Sequence, residues 1–194
     1  MSNVDLDRER LGSEFVERAG IDVVSDVGEL SVVVRLAEVN EAGNTTQHFT
    51  DGGSDFHFMQ LEYLDPGTGD VIATRMVAEI LPGNRTELAY WAQAAPYKIL
   101  KVHKGRGDMV TANPKTGEVT TVPYDAQDLP DVVLPSGTFY TLRAAPDSTE
   151  SLFISGLYTE RVDWDKLELV VEPGQTTIDT PDGTLEIPAE FSNL

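Results

Sequence analysis

The sequence contains no cysteine, and this absence removes several classes of site at once. Structural disulfides, thiolate-bound zinc and a cysteine nucleophile all need a thiol, so none of them is available to this chain. Histidine, another common metal ligand, is also scarce, because the chain holds only His48, His57 and His103.

Basic residues are few as well. Lysine and arginine together number 14 against 33 aspartates and glutamates, so the formal net charge is −19. A surface of this charge repels nucleic-acid phosphates and anionic lipid headgroups, so we expect neither nucleic acid nor a membrane as a partner. The acidic residues are spread along the whole chain, which is typical of a solvated surface and not of an acidic tail.

Long hydrophobic runs are missing too. No stretch approaches the roughly 18 consecutive apolar residues that a membrane-spanning helix needs. Residues 1–20 are acidic and mixed and contain no basic start followed by an apolar core, so we predict no secretory signal. We therefore expect a cytoplasmic protein.

What remains is a globular composition, with 40% hydrophobic and 24% charged residues over 194 positions. This length suits one domain, and we treat residues 1–194 as a single unit. Within it we distinguish an N-terminal helix or arm (1–20), N-terminal strands (21–80), a core (80–172) and a C-terminal hairpin or arm (173–194).

One helix is predicted over residues 5–19, with Gly20 as its stop signal, because Leu6, Leu11, Phe15 and Val16 recur at roughly helical spacing. The rest of the chain has the pattern of many short strands, which favours a sandwich or a barrel. The predicted strands are Ile21–Val24, Leu30–Val39, Asp55–Leu64, Val71–Ile80, Tyr97–Lys104, Asp108–Ala112, Glu118–Val122, Asp131–Leu134, Tyr140–Ala144, Ser151–Tyr158 and Lys166–Val171.

Turn residues separate these strands. The stretches LDPGTGDV (64–71) and ANPKTGEV (112–119) are predicted to be hairpin loops. A further hairpin is predicted around Pro181-Asp182-Gly183, and it either pairs with the rest of the chain or reaches a partner subunit.

Residues 80–158 carry a regular skeleton of proline and glycine, namely Pro82, Gly83, Gly105, Gly107, Pro135 and Gly137. With turn residues in these places, the stretch resembles the two-motif core of the cupin family. The resemblance implies an all-β fold, a cupin-type double-stranded β-helix (jelly-roll) barrel, preceded here by the short N-terminal helix. It also implies a homodimer, because cupins often pair through exposed strand edges.

The positions that bind metal in cupins hold other residue types here. The His-X-His pair of the family falls on Ala89 and Trp91, and Gln93 fills one of these positions if the loop is aligned differently. The family's glutamate falls on Lys98, and its third histidine falls on Tyr140. Divalent cations do not prefer these side chains, and Lys98 repels them, so we expect no metal and no cofactor.

Lys98 and Tyr140 are of interest in their own right. Strand alternation places Lys98 on the same face as Leu100 and Val102, which is the natural inward face. Two interpretations of Lys98 stay open: it pairs with a carboxylate and closes the pocket, or it binds an anionic or carbonyl-bearing ligand or acts as a general acid. Tyr140 is either a packed aromatic or a catalyst, and Trp91 either lines or plugs the pocket.

The histidines allow two interpretations as well. His48 and His57 flank the Asp51–Gly53 turn and would face each other across a hairpin, where a nearby aspartate would complete an unusual metal site. Alternatively they are surface and strand-packing imidazoles. His103 lies on the strand face opposite Lys98, so we expect it to point outward.

Three functions therefore stay open. The first is a binding module in which Trp91, Gln93, Lys98 and Tyr140 hold a small polar, anionic or sugar-like metabolite in the barrel mouth. The second is a metal-independent sugar isomerase or epimerase that uses tyrosine and lysine as acid and base. The third is a non-catalytic assembly protein whose barrel is filled by side chains. An open mouth lined by converging polar groups separates the first two functions from the third.

Overall fold

The structure is a computed structural model that describes residues 3–23, 31–36, 46–51, 54–93, 98–158 and 168–192. Nearly all of its elements are strands, as predicted. The helices are α1 (Asn3–Ala19) and α2 (Ala189–Ser192); the strands are β1 (Val33–Leu36), β2 (Thr46–Asp51), β3 (Ser54–Leu64), β4 (Val71–Ile80), β5 (Ala89–Trp91), β6 (Lys98–Lys104), β7 (Arg106–Ala112), β8 (Val119–Asp125), β9 (Asp131–Leu134), β10 (Thr138–Ala144), β11 (Leu152–Tyr158), β12 (Glu168–Val170), β13 (Thr177–Thr180) and β14 (Gly183–Glu186).

The strands β4 to β11 pair as one long antiparallel hairpin that is folded over on itself. β7 pairs with β8 at the tip, followed by β6 with β9, β5 with β10 and β4 with β11. The pairs alternate between two sheets, in the orders β4-β11-β6-β9 and β5-β10-β7-β8. This wrapping is the jelly roll, so the predicted all-β jelly-roll fold is confirmed. Among the described strands the two sheets stay separate and do not form a closed barrel.

Further strands extend both sheets. β3 and β1 continue the first sheet beyond β4, β2 pairs with β3, and β12 continues the second sheet beyond β5. The main apolar core lies between the sheets and draws on both of them; its members include Leu100, Val102, Trp91, Met109, Tyr140, Leu142 and Ile154.

Helix α1 covers the outer face of the first sheet. Phe15 and Ala19 pack there in a second apolar cluster with residues such as Tyr63. Gly12 allows a close approach, since a Cβ at this position would lie 2.8 Å from the Cα of Arg35. The helix predicted from the apolar spacing is confirmed as α1. Leu6 is nevertheless 53% exposed, because the close contact at Gly12 determines which side of the helix is buried.

The C-terminal hairpin, β13 with β14, covers the outer face of the second sheet together with α2. The ring of Phe191 lies 6.3 Å from that of Phe139, which lies 5.1 Å from Tyr90. In the hairpin turn, Asp182 accepts hydrogen bonds from the Tyr90 hydroxyl at 3.1 Å and the Gln93 amide at 2.8 Å. The predicted hairpin is confirmed, and it packs against its own chain.

The predicted strand Ile21–Val24 is wrong for its described part, residues 21–23, which lie in no strand. The Gly20 amide donates to the Glu17 carbonyl at 3.2 Å and the Ile21 amide donates to the Val16 carbonyl at 3.0 Å. With Gly20 at a φ of 71°, this is a Schellman motif, in which an apolar residue after the helix packs back onto its last turn. Ile21 is therefore buried as part of the helix end.

The remaining strand predictions match within a few residues where the chain is described, and both hairpin loops are confirmed. In each loop the first polar side chain accepts amide hydrogen bonds: Asp65 from Gly67 and Thr68, and Asn113 from Lys115 and Thr116. Neither β2 nor β5 was predicted as a strand; β5 has three residues, too few to give a pattern. In the described part of the chain, no helix is long and apolar enough to cross a membrane.

Candidate functional site

Three of the four predicted site residues meet at one end of the space between the sheets. Trp91 ends β5, Lys98 begins β6 and Tyr140 lies near the start of β10. Each of the three is at most 8% exposed. Lys98 belongs to the first sheet and reaches across to the second, where its ammonium nitrogen lies 4.9 Å from the Trp91 ring centroid.

Glu168 is the partner of both Lys98 and Tyr140. Its Oε2 lies 3.4 Å from the Lys98 Nζ, and its Oε1 accepts a hydrogen bond from the Tyr140 hydroxyl. Glu168 is the Cα partner of Trp91 in the β12–β5 pairing, and cross-strand partners share a face, so its side chain enters the same space. The structure thus contains the ion pair that one interpretation of Lys98 required.

Tyr158 completes what we call the Lys98 cluster: Trp91, Lys98, Tyr140, Tyr158 and Glu168. The Lys98 nitrogen lies 5.6 Å from the Tyr158 ring centroid. Gly156 leaves room for this arrangement, because a Cβ there would lie 2.8 Å from the Tyr158 hydroxyl and 3.1 Å from the Lys98 Cε. Glycine at this inward position is therefore part of how the cluster fits.

Burial and charge act together on the ionisable groups of the cluster. Burial lowers the pKa of Lys98, but Glu168 and Tyr158 raise it, and the net direction is upward. Burial, followed by the charge of Glu168, raises the pKa of Tyr140 well above its usual value. Burial also raises the pKa of Tyr158, although the charge of Lys98 opposes this. At neutral pH the cluster therefore presents one ammonium group and two protonated phenols.

Gln93, the fourth predicted site residue, lies apart from the cluster. It is exposed, and its side chain lies over the Pro135–Gly137 turn, where a Cβ on Gly137 would come within 2.6 Å of the Gln93 Oε1. Its backbone amide is held by Asp182. The structure brings Trp91, Lys98 and Tyr140 together and leaves Gln93 at the surface.

Sequence reasoning did not find Glu168 or Tyr158. The strand containing Glu168 was predicted, and a buried lysine called for a carboxylate, but the chain has 33 acidic residues from which to choose. The pairing of β12 with β5 selects this one, and that pairing joins residues far apart in the sequence. The alternation of β11 was a usable signal for Tyr158, because it places this tyrosine on the same face as Ile154 and Leu152.

The cluster lies in a densely filled interior. Trp91 is 1% exposed and Tyr140 5% exposed, so both rings pack as core residues. The side chains that reach solvent are Tyr158, which is partly exposed, and Glu168, at 21%. Within the cluster, the side chains that reach solvent therefore lie on β11 and β12.

The histidines take two different positions. His48 and His57 are direct Cα partners in the β2–β3 hairpin, as the hairpin prediction required. His103 points away from the interior as expected, but it is partly buried there beside Ser155 and Arg75. Its Nε2 lies 2.7 Å from the Ser155 hydroxyl and 3.3 Å from the Arg75 guanidinium. Within the described residues, no group of three or more histidine and acidic side chains is placed to hold a metal ion.

A surface groove of about 590 Å³ lies elsewhere, between α1 and β1. Its lining is mostly leucine and valine, with Glu9, Arg10 and Ser13 as its polar members. Arg10 is paired at 2.7 Å with Glu14, one turn along the helix. Polar groups converge in the Lys98 cluster and not in this groove, so we assign the candidate site to the cluster.

No family model matches the chain, and no curated protein matches it. Among solved structures, the capsular polysaccharide assembling protein CapF from Staphylococcus aureus is similar over 66% of this chain and 34% of its own, with 13% identity and a TM-score of 0.46. A mutant of oxalate decarboxylase from Bacillus subtilis is similar over 64% of this chain and 30% of its own, with 12% identity and a TM-score of 0.45. The chain thus spans about a third of the length of each.

Proposed function

We propose that this chain is a cupin-like binding protein that holds a small polar molecule at the Lys98 cluster. One observation carries the proposal: a lysine side chain that is only 7% exposed converges with a carboxylate and two phenols at one end of the jelly roll. The ammonium and the phenols offer donors, and the carboxylate offers acceptors. A small molecule with several hydroxyl or carbonyl oxygens complements such a set.

Stability alone does not account for the cluster. Taking a lysine and a glutamate out of water costs several kcal/mol per ion, and well-packed apolar residues in their place are often neutral or stabilising. Buried ionisable groups with shifted pKa values concentrate at functional sites. The cluster is therefore better explained by binding than by folding.

A screen of polar ligands by thermal shift tests this proposal. We expect a subset of sugars, polyols or small acids to raise the melting temperature of the wild-type chain. Lys98→Met should abolish that rise. Lys104→Met is the matched control, because Lys104 lies on the same strand but is 44% exposed and far less enclosed. A ligand that stabilises the wild type and Lys98→Met equally would contradict the assignment of the site.

We further propose that the chain is a cupin without the usual metal site. Ala89 and Trp91 share the inward face of β5, and Tyr140 is the Cα partner of Ala89, so the substituted positions lie together beside Lys98. Elemental analysis of tag-free protein, purified without chelator, should find transition metal far below one ion per chain. A stoichiometric metal would contradict this proposal and redirect attention to the histidines.

Two further functions have observations in their favour. The Tyr140 hydroxyl, the Glu168 carboxylate and the Lys98 ammonium provide donors and an acceptor within one cluster, as a sugar isomerase or epimerase needs. Incorporation of solvent deuterium into candidate sugars, followed by NMR, tests that alternative. The dense packing of Trp91 and Tyr140 favours the filled-interior assembly protein instead, for which no ligand would stabilise the chain.

We also propose a homodimer. Ile99 and Val133 are Cα partners at the β9 edge of the first sheet, and they are 53% and 55% exposed. Neighbouring apolar side chains at an exposed edge are suited to pairing with a second copy. Light scattering should give twice the chain mass for the wild type and the chain mass for Ile99→Glu. Val122→Glu, at the edge of the second sheet, is the control that should remain a dimer.

A further inference from the structure

Within the Lys98 cluster, the carboxylate of Glu168 occupies the position that a bound ligand would take. Both oxygens of Glu168 are engaged, Oε2 by the Lys98 ammonium at 3.4 Å and Oε1 by the Tyr140 hydroxyl. An ammonium and a phenol on opposite sides of a carboxylate form a recognition site for the planar carboxylate group. The site is therefore built for a carboxylate, and a side chain of the protein supplies it.

The donors are fixed in place more firmly than the acceptor. Lys98 lies on β6 and Tyr140 on β10, and each of these strands is hydrogen-bonded to a neighbour on both sides. Glu168 lies on β12, a strand of three residues at the edge of the second sheet. Its side chain is 21% exposed, against 7% for Lys98. Short edge strands open at lower free energy than central strands, so Glu168 is the member of the cluster that can be displaced.

When Glu168 is displaced, the groups that remain in the cluster favour an anionic ligand. Lys98 remains buried against the Trp91 ring, and its charge then lacks the carboxylate that offset its desolvation. The two tyrosines remain protonated and continue to offer O–H donors. A neutral sugar offers hydroxyl groups to these donors but no charge to the ammonium.

We propose that the ligand of this site is a small carboxylate, which takes the place of Glu168 between Lys98 and Tyr140. The inference rests on the proposed binding function and names its ligand class. In the ligand-free chain, Glu168 occupies the ligand's position, and its negative charge balances that of the buried Lys98 ammonium. A small acid binds by pushing this carboxylate out toward solvent, on the exposed side of β12.

The indole N–H resonance of Trp91 provides a direct test in the wild-type chain, because this ring lies against the Lys98 nitrogen. We expect acetate and malonate to shift it saturably and Lys98→Met to remove the shift. Glu168→Ala removes the competing side chain and should bind the same acids about a hundredfold more tightly, as follows if the site is free in roughly a hundredth of wild-type molecules. Glu172→Ala, an exposed acid beyond β12, is the matched control and should bind as the wild type does.

The outcomes separate this inference from the proposed function. If the acids shift Trp91 neither in the wild type nor in Glu168→Ala, while a neutral sugar stabilises the chain in a Lys98-dependent way, the carboxylate inference is wrong and the binding function stands. If neither acids nor sugars bind, both are wrong. Inorganic phosphate binding as well as acetate would also overturn the inference, since the site would then recognise charge and not the carboxylate. If Glu168→Ala does not fold, the titrations of the wild type and Lys98→Met decide the question.

Discussion

Lys98 and Glu168 form an ion pair with unequal burial, and this inequality predicts unequal effects of substitution. Glu168→Gln keeps the hydrogen-bond acceptor for Tyr140 but removes the carboxylate charge that offsets the buried ammonium of Lys98, so we expect the free energy of unfolding to fall by about 3 kcal/mol. Lys98→Met leaves only Glu168, which reaches water, and we expect a loss of about 1 kcal/mol. Urea denaturation at neutral pH measures both.

The double variant Lys98→Met/Glu168→Gln provides the control for this pair. Because it leaves no buried charge in the Lys98 cluster, it should be more stable than Glu168→Gln alone. Equal losses in the two single variants would contradict the burial argument.

The partly buried imidazole of His103 should make the stability of the fold depend on pH. Burial, followed by the charges of Arg75 and Lys101, lowers the pKa of His103 from 6.5 to about 3. Between these two values the unfolded chain binds a proton that the folded chain does not, so this residue destabilises the fold as the pH falls from about 6.5 toward 3.

Thermal unfolding over this pH range tests the prediction with His103→Gln as the comparison. The variant should lose less stability on acidification than the wild type, because the carboxylates titrate in both while the imidazole is present in only one. A direct NMR titration of the His103 ring should show it neutral at pH values where a free imidazole is charged. An ordinary titration midpoint would contradict the prediction.

At the scale of the element, α1 approaches the first sheet most closely at Gly12, a residue with a low helix propensity. Alanine in place of Gly12 would gain about 1 kcal/mol of helix propensity. Its Cβ would, however, lie 2.8 Å from the backbone of Arg35, and the backbone cannot move aside as a flexible side chain can. Overpacking of this kind costs about 1–3 kcal/mol, so the steric effect outweighs the propensity.

We therefore expect Gly12→Ala to destabilise the chain in a denaturation experiment. Ser13→Ala is the matched control, because Ser13 is the exposed neighbour in the same helix and should show only the small gain in propensity. A stabilised Gly12→Ala variant would mean that α1 lies farther from β1 than the structure places it.

The elements also differ in how far the sequence predicts them. β4 and β9 were predicted with their observed bounds, since alternation and flanking turn residues mark both ends. Ile21 was assigned to a strand although it caps α1, because an apolar residue after a helix has the same local pattern whether it packs backward or continues as a strand. Only the contact with Val16 separates the two possibilities.

At the scale of the whole molecule, the net negative charge determines how stability responds to salt. The formal net charge of −19 makes the folded chain repel itself, and compaction increases this repulsion. Salt weakens the surface ion pairs as well, including Lys104–Glu150 at 3.4 Å, but exposed pairs of this kind contribute less than about 1 kcal/mol each. With 33 acidic against 14 basic residues, screening of the repulsion is the larger effect.

We expect the melting temperature to rise with sodium chloride through this screening. Scanning calorimetry at neutral pH across a series of salt concentrations measures the effect, and an uncharged osmolyte is the control for changes in solvent structure. A melting temperature that is independent of salt would contradict the argument.

The sequence by itself determined the chemistry that is absent, the strand pattern and the inward position of Lys98, because composition and alternation are local properties. The tertiary structure decided that Glu168 is the partner of Lys98, that Gln93 lies outside the cluster and that His103 is partly buried beside Arg75 and Ser155. These facts depend on which strands pair and which faces are covered. Strand pairing joins residues far apart in the chain, such as Glu168 and Trp91, and no local sequence pattern indicates which strands pair.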